Sequence, residues 1–253
     1  MVICTSSAII YSSPDYMSEQ IDEMLYGEEA EILDEKDGFY KIISEYGYSG
    51  WTSKENIFGK TKESNYVVTS PFSDLLLEGK YRIAPFMHLP RGAKLHVEFS
   101  RNSPRFGFVT HPNEYTFYIH KNHISKIGYE YHTQSEKRFY LCQTAKEYLG
   151  TQYCWGGRTH HGIDCSGLCF NAYRFNGINI WRDADISKSP NLRKISYEDA
   201  RMGDLLFFKN HMAMYLGNGK IIHSSAENGC VAIENYNENK KLQDIFICAG
   251  TAF

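Results

Sequence analysis

Hydrophobic and polar positions alternate along the first half of the chain in short runs that turn signals interrupt. Glu31 to Leu33, Tyr40 to Ser44 and the approach to Gly50-Trp51 are such runs, with Asp37-Gly38 and Tyr46-Gly47 between them. A period of two with closely spaced glycine turns predicts small all-β barrels. The ending of this stretch recurs. Trp51-Thr-Ser-Lys54-Glu-Asn-Ile57 and Tyr118-Ile-His-Lys121-Asn-His-Ile124 share an aromatic residue, a lysine at +3 and an isoleucine at +6, at an offset of 67 residues. Glycine-bearing segments, Leu25-Tyr-Gly-Glu28 and Leu89-Pro-Arg-Gly92, precede the two copies. The pattern therefore predicts one β module used twice, over 1–62 and 63–128. The second copy carries extra residues from Phe99 to Thr116, including Asn102-Ser-Pro104 and His111-Pro-Asn113, which predict a long loop.

Beyond Gly128 the period becomes helical. Phe139, Cys142, Ala145 and Leu149 recur at helix spacing and Gly150 stands where a C-terminal cap belongs, so a helix is predicted over 136–149. Asp164 precedes a run from Cys165 to Asn176 that ends at Gly177, which predicts a second helix with Asp164 as its N-cap. Strands follow at Asp204 to Phe208, His211 to Leu216 and Lys220 to Ser224, with Gly217-Asn-Gly219 as a hairpin turn. Helices followed by an antiparallel sheet predict an α+β domain over 129–253.

Composition narrows the function. The chain has 253 residues, of which 42% are hydrophobic and 23% charged, the profile of a soluble globular protein. Its longest apolar runs, such as Leu205 to Phe208, fall far short of the roughly 20 residues that span a bilayer, so no membrane partner is expected. Residues 1–60 carry 4 basic and 12 acidic side chains, a net −8, whereas 61–130 and 131–253 carry +3 and +2. An acidic field repels phosphate backbones and suits an ammonium-bearing ligand, so nucleic acid is not an expected partner. Seven cysteines, an odd number at irregular spacings, suit a reducing compartment. Met1 to Glu35 contains no Lys or Arg, unlike the opening of a secretory signal, so the cytoplasm is the expected location unless an upstream export signal has been removed. A monomer is expected.

Cys-x-x-Cys and His-Glu-x-x-His do not occur, and His120-Lys-Asn-His123 occupies the repeat position of Ser53-Lys-Glu-Asn56, which argues against zinc. Gly156-Gly157 runs into Arg158-Thr159 rather than a helix start, which argues against a phosphate-binding loop. No cofactor is expected.

The chemistry centres on Cys165. A thiol at a helix N-terminus beside a histidine is expected to have a lowered pKa, and the backbone N–H there can face a developing oxyanion. His211 and His223 stand on the two arms of the predicted hairpin. A two-residue turn pairing 214 with 223 would put them on opposite faces, whereas a three-residue loop pairs 213 with 223 and sets both on one face as diagonal neighbours. The glycines favour the second arrangement, since Gly219 accepts a left-handed conformation without steric cost. His211 is then the expected general base and His223 the residue that orients it.

Four segments in order, Tyr153-Cys-Trp-Gly-Gly157, Asp164-Cys-Ser-Gly167, Gly203-Asp-Leu-Leu-Phe-Phe208 and His211 to His223, resemble the NlpC-type cell-wall cysteine peptidases. The resemblance implies a pared-down papain-like α+β domain with Cys165, His211 and His223 as its triad. Tyr153 matches the family's tyrosine next to the nucleophile, and Trp155 of the same motif joins it among the implied substrate-binding residues. The N-terminal repeats resemble bacterial SH3-like modules. Such modules joined to this catalytic domain are similar to the γ-D-glutamyl-L-diamino acid endopeptidases of murein-peptide recycling. That combination implies cleavage of L-Ala-γ-D-glutamyl from a diamino acid, with a free L-Ala amine required. Asp164, Ser166 and Asp183 match the implied amine-binding residues, with Tyr48 and Glu19 as contributions from the first module. Ala184 stands where the resemblance implies a serine. Two other readings remain at this point: an endopeptidase or amidase acting on polymeric peptidoglycan, with the modules as wall anchors, and a wall-binding protein without activity.

Overall fold

A computed structural model describes residues 1–59, 62–112, 115–128, 131 and 133–253. Asn113 of the expected loop and Tyr129, the expected first residue of the third domain, lie outside the described residues. The chain forms two compact units, Met1–Ile127 and Gly128–Phe253.

The N-terminal unit is all β and 3-10 helix. Its first half is a five-stranded antiparallel sheet in the order Gln20–Leu25, Ser7–Tyr11, Ser49–Ser53, Phe39–Ser44, Ala30–Lys36. Asp37 and Gly38 both take positive φ, 48° and 84°, which makes the tight turn between Ala30–Lys36 and Phe39–Ser44. Ile3, Ala8, Ile10, Met24, Ile42 and Ile57 form the enclosed core. The repeated heptapeptide takes one conformation twice. Ser49–Ser53 leads through the 3-10 turn Lys54–Asn56 to Ile57–Phe58, and Thr116–His120 leads through Lys121–His123 to Ile124–Lys126. Ile57 and Ile124 are buried in both copies because the turn returns the isoleucine to the core side.

The two halves of this unit share material. Tyr26, from the first, is buried in the core of the second beside Leu89, Leu95 and Phe117, and its backbone carbonyl accepts a hydrogen bond from Lys94 N at 2.9 Å. Gly27 permits this approach, since a Cβ there would sit 2.1 Å from Lys94 O. The expected loop from Phe99 to Thr116 is only partly a loop. Phe106–Thr110 is a strand paired on one side with Val97–Glu98 and on the other with Thr116–His120. Phe106 and Val109 have core positions, and burying their side chains favours ladder pairing over an open excursion.

The C-terminal unit packs helices on one six-stranded antiparallel sheet. The sheet order is Arg193–Ile195, Phe246–Thr251, Leu205–Phe208, His211–Gly217, Lys220–Ser225, Cys230–Asn235. The first helix, Gln134–Lys146, starts two residues before the predicted one because Thr133 and Glu136 form a reciprocal capping box. Its inward side is Leu141, Cys142 and Ala145, continued by fully buried Tyr148, while Phe139 and Leu149 of the predicted stripe are exposed. The second helix, Cys165–Arg174, starts as predicted at Asp164, whose carboxylate accepts from Gly167 N at 2.5 Å. It is buried along nearly its whole length, so its ten residues serve as the central pillar of the unit. Among the described residues, no helix is long and apolar enough to cross a membrane.

Candidate active site

Sheet register brings the histidines together. Met214 pairs with Ile222 and Tyr215 with Ile221, a register that sets Ala213 opposite His223 and leaves His211 its diagonal neighbour on the same face. The predicted register is correct, but the turn achieves it differently. Asn218 and Gly219, with φ of 52° and 72°, make a two-residue turn between Gly217 and Lys220, and an irregularity between Tyr215 and Gly217 absorbs the extra residue. His211 Nε2 lies 2.8 Å from His223 Nδ1, with the rings edge to face at a centroid distance of 5.0 Å.

Cys165 opens the pillar helix and lines a cavity of about 710 Å³ together with Tyr153, His211 and His223. Two glycines fix its position. A Cβ at Gly167 would meet Gly157 O at 2.4 Å, and one at Gly157 would meet Gly162 O at 2.5 Å, so the loop before the helix can lie against the helix's first turn. The hairpin is tied to the same loop by Ser224 Oγ, which donates to Ile163 O at 2.7 Å, and Tyr153 N donates to Gly229 O at 2.8 Å.

The electrostatics depart from the sequence-based expectation of a lowered thiol pKa. Burial pushes the Cys165 thiol up to about 11, with the Asp164 carboxylate adding to the rise. The Met212 and Ser166 backbone N–H groups and the Arg182 guanidinium oppose it without cancelling it. Burial, reinforced by His223, brings His211 down to about 4, although Glu234 and Asp164 pull the other way. Near neutral pH the pair therefore rests as thiol and neutral imidazole. Desolvation outweighs the helix terminus here because Cys165 is only 7% exposed. Neutral His211 can accept the proton as sulfur attacks. Tyr153 is pushed up to about 12 by burial and by Cys165, so its hydroxyl stays protonated and can donate.

Asp164 and Ser166 are engaged within the chain. The fully buried Arg182 reaches Asp164 Oδ1 at 3.1 Å and Oδ2 at 3.0 Å and donates to Ser166 Oγ at 2.8 Å. Gly156 N donates to the second carboxylate oxygen at 2.8 Å, and Ser166 Oγ donates to the first at 3.1 Å. This charge is already balanced, so the pair serves as a clamp on the turn that carries Cys165, a role the sequence reading did not foresee. Arg182 is the residue it missed, although it stands in the same Trp181-Arg-Asp183 segment that drew attention to Asp183. Asp183 is half-buried. Trp155 is 57% exposed and is not among the residues lining the cavity. Tyr48 and Glu19 lie in the N-terminal unit, the first half-buried next to a backbone pairing with Ser44, the second exposed.

The remaining cysteines differ from Cys165 in setting. Cys169 is fully buried one turn along the helix, and burial raises its thiol well above the ordinary value. Burial pushes Cys142 to about 11. Cys4, Cys154, Cys230 and Cys248 are only half-buried.

Comparison with known proteins places this geometry. Residues 150–249 match the NlpC/P60 family, and residues 6–58 match the bacterial SH3 domain. A dipeptidyl-peptidase 6 of Lysinibacillus sphaericus is 30% identical over 256 residues, covering 95% of this chain and 93% of that one. A gamma-D-glutamyl-L-lysine dipeptidyl-peptidase of Bacillus cereus is 28% identical over 230 residues, 80% of this chain and 66% of that one. The crystal structure of an NlpC/P60 family protein from Bacillus cereus superposes with a TM-score of 0.84 at 22% identity, covering 98% of this chain and 97% of the other, a likeness of fold.

Proposed function

The chain belongs to the NlpC/P60 family of cysteine peptidases, and on that premise we propose that it hydrolyses the bond between γ-D-glutamate and the diamino acid in short murein peptides that begin with a free L-Ala. The names of its relatives, a dipeptidyl-peptidase and a gamma-D-glutamyl-L-lysine dipeptidyl-peptidase, support a γ-D-glutamyl-diamino acid endopeptidase. The observation that carries the reading is the common wall formed by Cys165, His211, His223 and Tyr153 around one cavity, with the two imidazoles 2.8 Å apart.

In this mechanism His211 takes the thiol proton as Cys165 Sγ attacks the γ-glutamyl carbonyl carbon. The carbonyl π electrons move to oxygen, where the backbone N–H at the start of the helix faces the negative charge. As the tetrahedral intermediate collapses, the C–N bond breaks and the His211 imidazolium gives its proton to the leaving amine. Water, deprotonated by His211, then hydrolyses the thioester. His223 holds the His211 ring in the orientation and tautomer that this requires. Asp183, the aspartate that the family resemblance implies for amine binding, is assigned as an acceptor for the substrate ammonium, while both carboxylate oxygens of Asp164 hold Arg182. Free cysteines throughout the chain suit a reducing compartment, which supports action in the cytoplasm on released peptides.

The test is cleavage of L-Ala-γ-D-Glu-diaminopimelate with and without an N-acetyl group on the alanine. The reading predicts release of the dipeptide from the free peptide and loss of most activity on the blocked one. Equal cleavage of both would reject amine recognition and turn the assignment toward polymeric peptidoglycan.

A further inference from the structure

The His211–His223 pair has a third neighbour on the same sheet face. Ile221 pairs with Glu234 and His223 with Ala232, so Glu234 is diagonal to His223 just as His223 is diagonal to His211. Three adjacent strands therefore present His211, His223 and Glu234 in one line across the ladder. Glu234 Oε1 lies 3.4 Å from His223 Nε2, a buried nitrogen with no hydrogen-bond partner among the described residues. The carboxylate is held in place from behind. Asn239 Nδ2 donates to Oε2 at 2.8 Å, and Asn228 Nδ2 donates to Oε1.

Proton placement gives this line its meaning. His211 uses Nε2 toward His223, so Nδ1 is the nitrogen left to accept a proton. A neutral His211 ready to act as base at Nδ1 carries its hydrogen on Nε2 and donates it to His223 Nδ1. His223 must then carry its own hydrogen on Nε2, the atom that faces Glu234. The opposite tautomer of His223 would either set two N–H groups against each other between the rings or force His211 to carry its hydrogen on Nδ1, the nitrogen that must accept the proton.

We infer that Glu234 is a positioning residue that extends the site to a Cys165–His211–His223–Glu234 line, selecting the His223 tautomer and balancing the positive charge that the histidine pair gains during turnover. The inference rests on the roles given to Cys165, His211 and His223 under the proposed function. Glu234 faces His223 from the adjacent strand, Asp164 and His223 act on His211, and Tyr153, Cys165, Glu227, Glu238, Lys240 and Lys241 line the same cavity. Burial works against the Glu234 charge, but the amides of Asn228 and Asn239 together with His223 outweigh it and hold the carboxyl below its ordinary value. A carboxylate is therefore present throughout the working range.

The experiment compares wild type with Glu234→Ala and Glu234→Gln on L-Ala-γ-D-Glu-diaminopimelate across pH, with Cys165→Ala and His223→Ala alongside. Glu234→Ala is expected to lower kcat by about 10- to 100-fold with KM little changed, a part of what a positioned acid–base group contributes. Glu234→Gln keeps an acceptor oxygen for Nε2–H and should recover part of kcat. In both variants the acid limb of kcat/KM should move to lower pH, because a negative charge that favours imidazolium has gone. Wild-type kcat with an unmoved acid limb would overturn the inference. So would a fall in kcat that follows a lower melting temperature while the limb stays in place, since that marks a merely structural residue. If Cys165→Ala and His223→Ala also retain activity, the proposed function itself fails, and the two failures are thereby told apart.

Discussion

Two histidine pairs in this chain have nearly the same spacing and opposite settings. His120 and His123, in the second β module, have ring centroids 5.1 Å apart, and His211 and His223 have theirs 5.0 Å apart. The first pair is used by the fold. His120 Nδ1 accepts from Asn122 N at 3.2 Å to start a 3-10 turn, and His123 Nδ1 lies 3.1 Å from Ser73 Oγ. The second pair is bonded ring to ring, opens on a cavity that holds a thiol and has a carboxylate behind it. Proximity of imidazoles is common to both. What differs is that the second pair is bonded ring to ring, with a carboxylate 3.4 Å from the outer nitrogen of His223 and a thiol on the wall of the same cavity.

The largest expected effect separates the pairs outright. Cys165→Ala and His211→Ala should each lower hydrolysis of L-Ala-γ-D-Glu-diaminopimelate by about 1000-fold or more, as loss of a nucleophile or its base does elsewhere. His120→Ala and His123→Ala should stay within about twofold of wild type, the range for residues outside a reacting site. Product release followed by chromatography decides it, and matched losses at the two pairs would erase the distinction.

Next in size is the clamp under Cys165. Arg182→Met leaves the Asp164 carboxylate buried without its cation, which costs about 3–5 kcal/mol when one member of a buried pair is removed. The midpoint of denaturant unfolding should fall accordingly, and an unchanged midpoint would mean that the guanidinium is not what holds this turn.

A smaller effect concerns the thiol. With Cys165 raised to about 11, its alkylation by iodoacetamide should be at least about 10-fold slower at pH 7 than at pH 10. A rate already level from mildly acidic pH upward would show a preformed thiolate–imidazolium pair instead.

The smallest is an acid sensitivity of the fold. His211 titrates near 4 in the folded unit against an ordinary 6.5, and His223 is shifted in the same direction by burial. Between those values the unfolded chain binds protons that the folded chain does not, so stability is complete above about 6.5 and is lost as pH falls toward 4. His120 is also lowered, by burial and by His123, Arg105 and Lys121 around it, but less than His211. The melting temperature of wild type should therefore drop more between pH 7 and pH 4.5 than that of His211→Asn, while His120→Asn should track wild type.

These contrasts also mark what the sequence discloses. The helix that opens at Cys165 and the histidine hairpin were legible because each rests on local rules: a capping aspartate, a glycine turn and the alternation of side chains along a strand. The hairpin's register came out correctly even though a bulge, which no local signal announced, absorbed the residue that the prediction had assigned to the loop. Phe139 and Leu149 were misplaced because helical spacing names a stripe without saying which neighbouring stripe tertiary packing will choose, and Tyr148 took the inward position. Arg182 and Glu234 were missed for a different reason. Their roles come from partners 18 and 11 residues distant, brought near by chain folding rather than by a spacing rule. The thiol's direction of shift was also invisible, since helix-terminus chemistry can be read locally and burial cannot.

The central claim is that the Cys165 sulfur becomes acylated by the γ-glutamyl group. Rapid acid quenching during turnover of L-Ala-γ-D-Glu-diaminopimelate, followed by mass spectrometry of the proteolysed protein, tests it most directly. The account predicts an L-Ala-γ-D-glutamyl adduct on the fragment containing Cys165 and its absence in Cys165→Ala. An adduct on any other residue, or full turnover by Cys165→Ala, would contradict it.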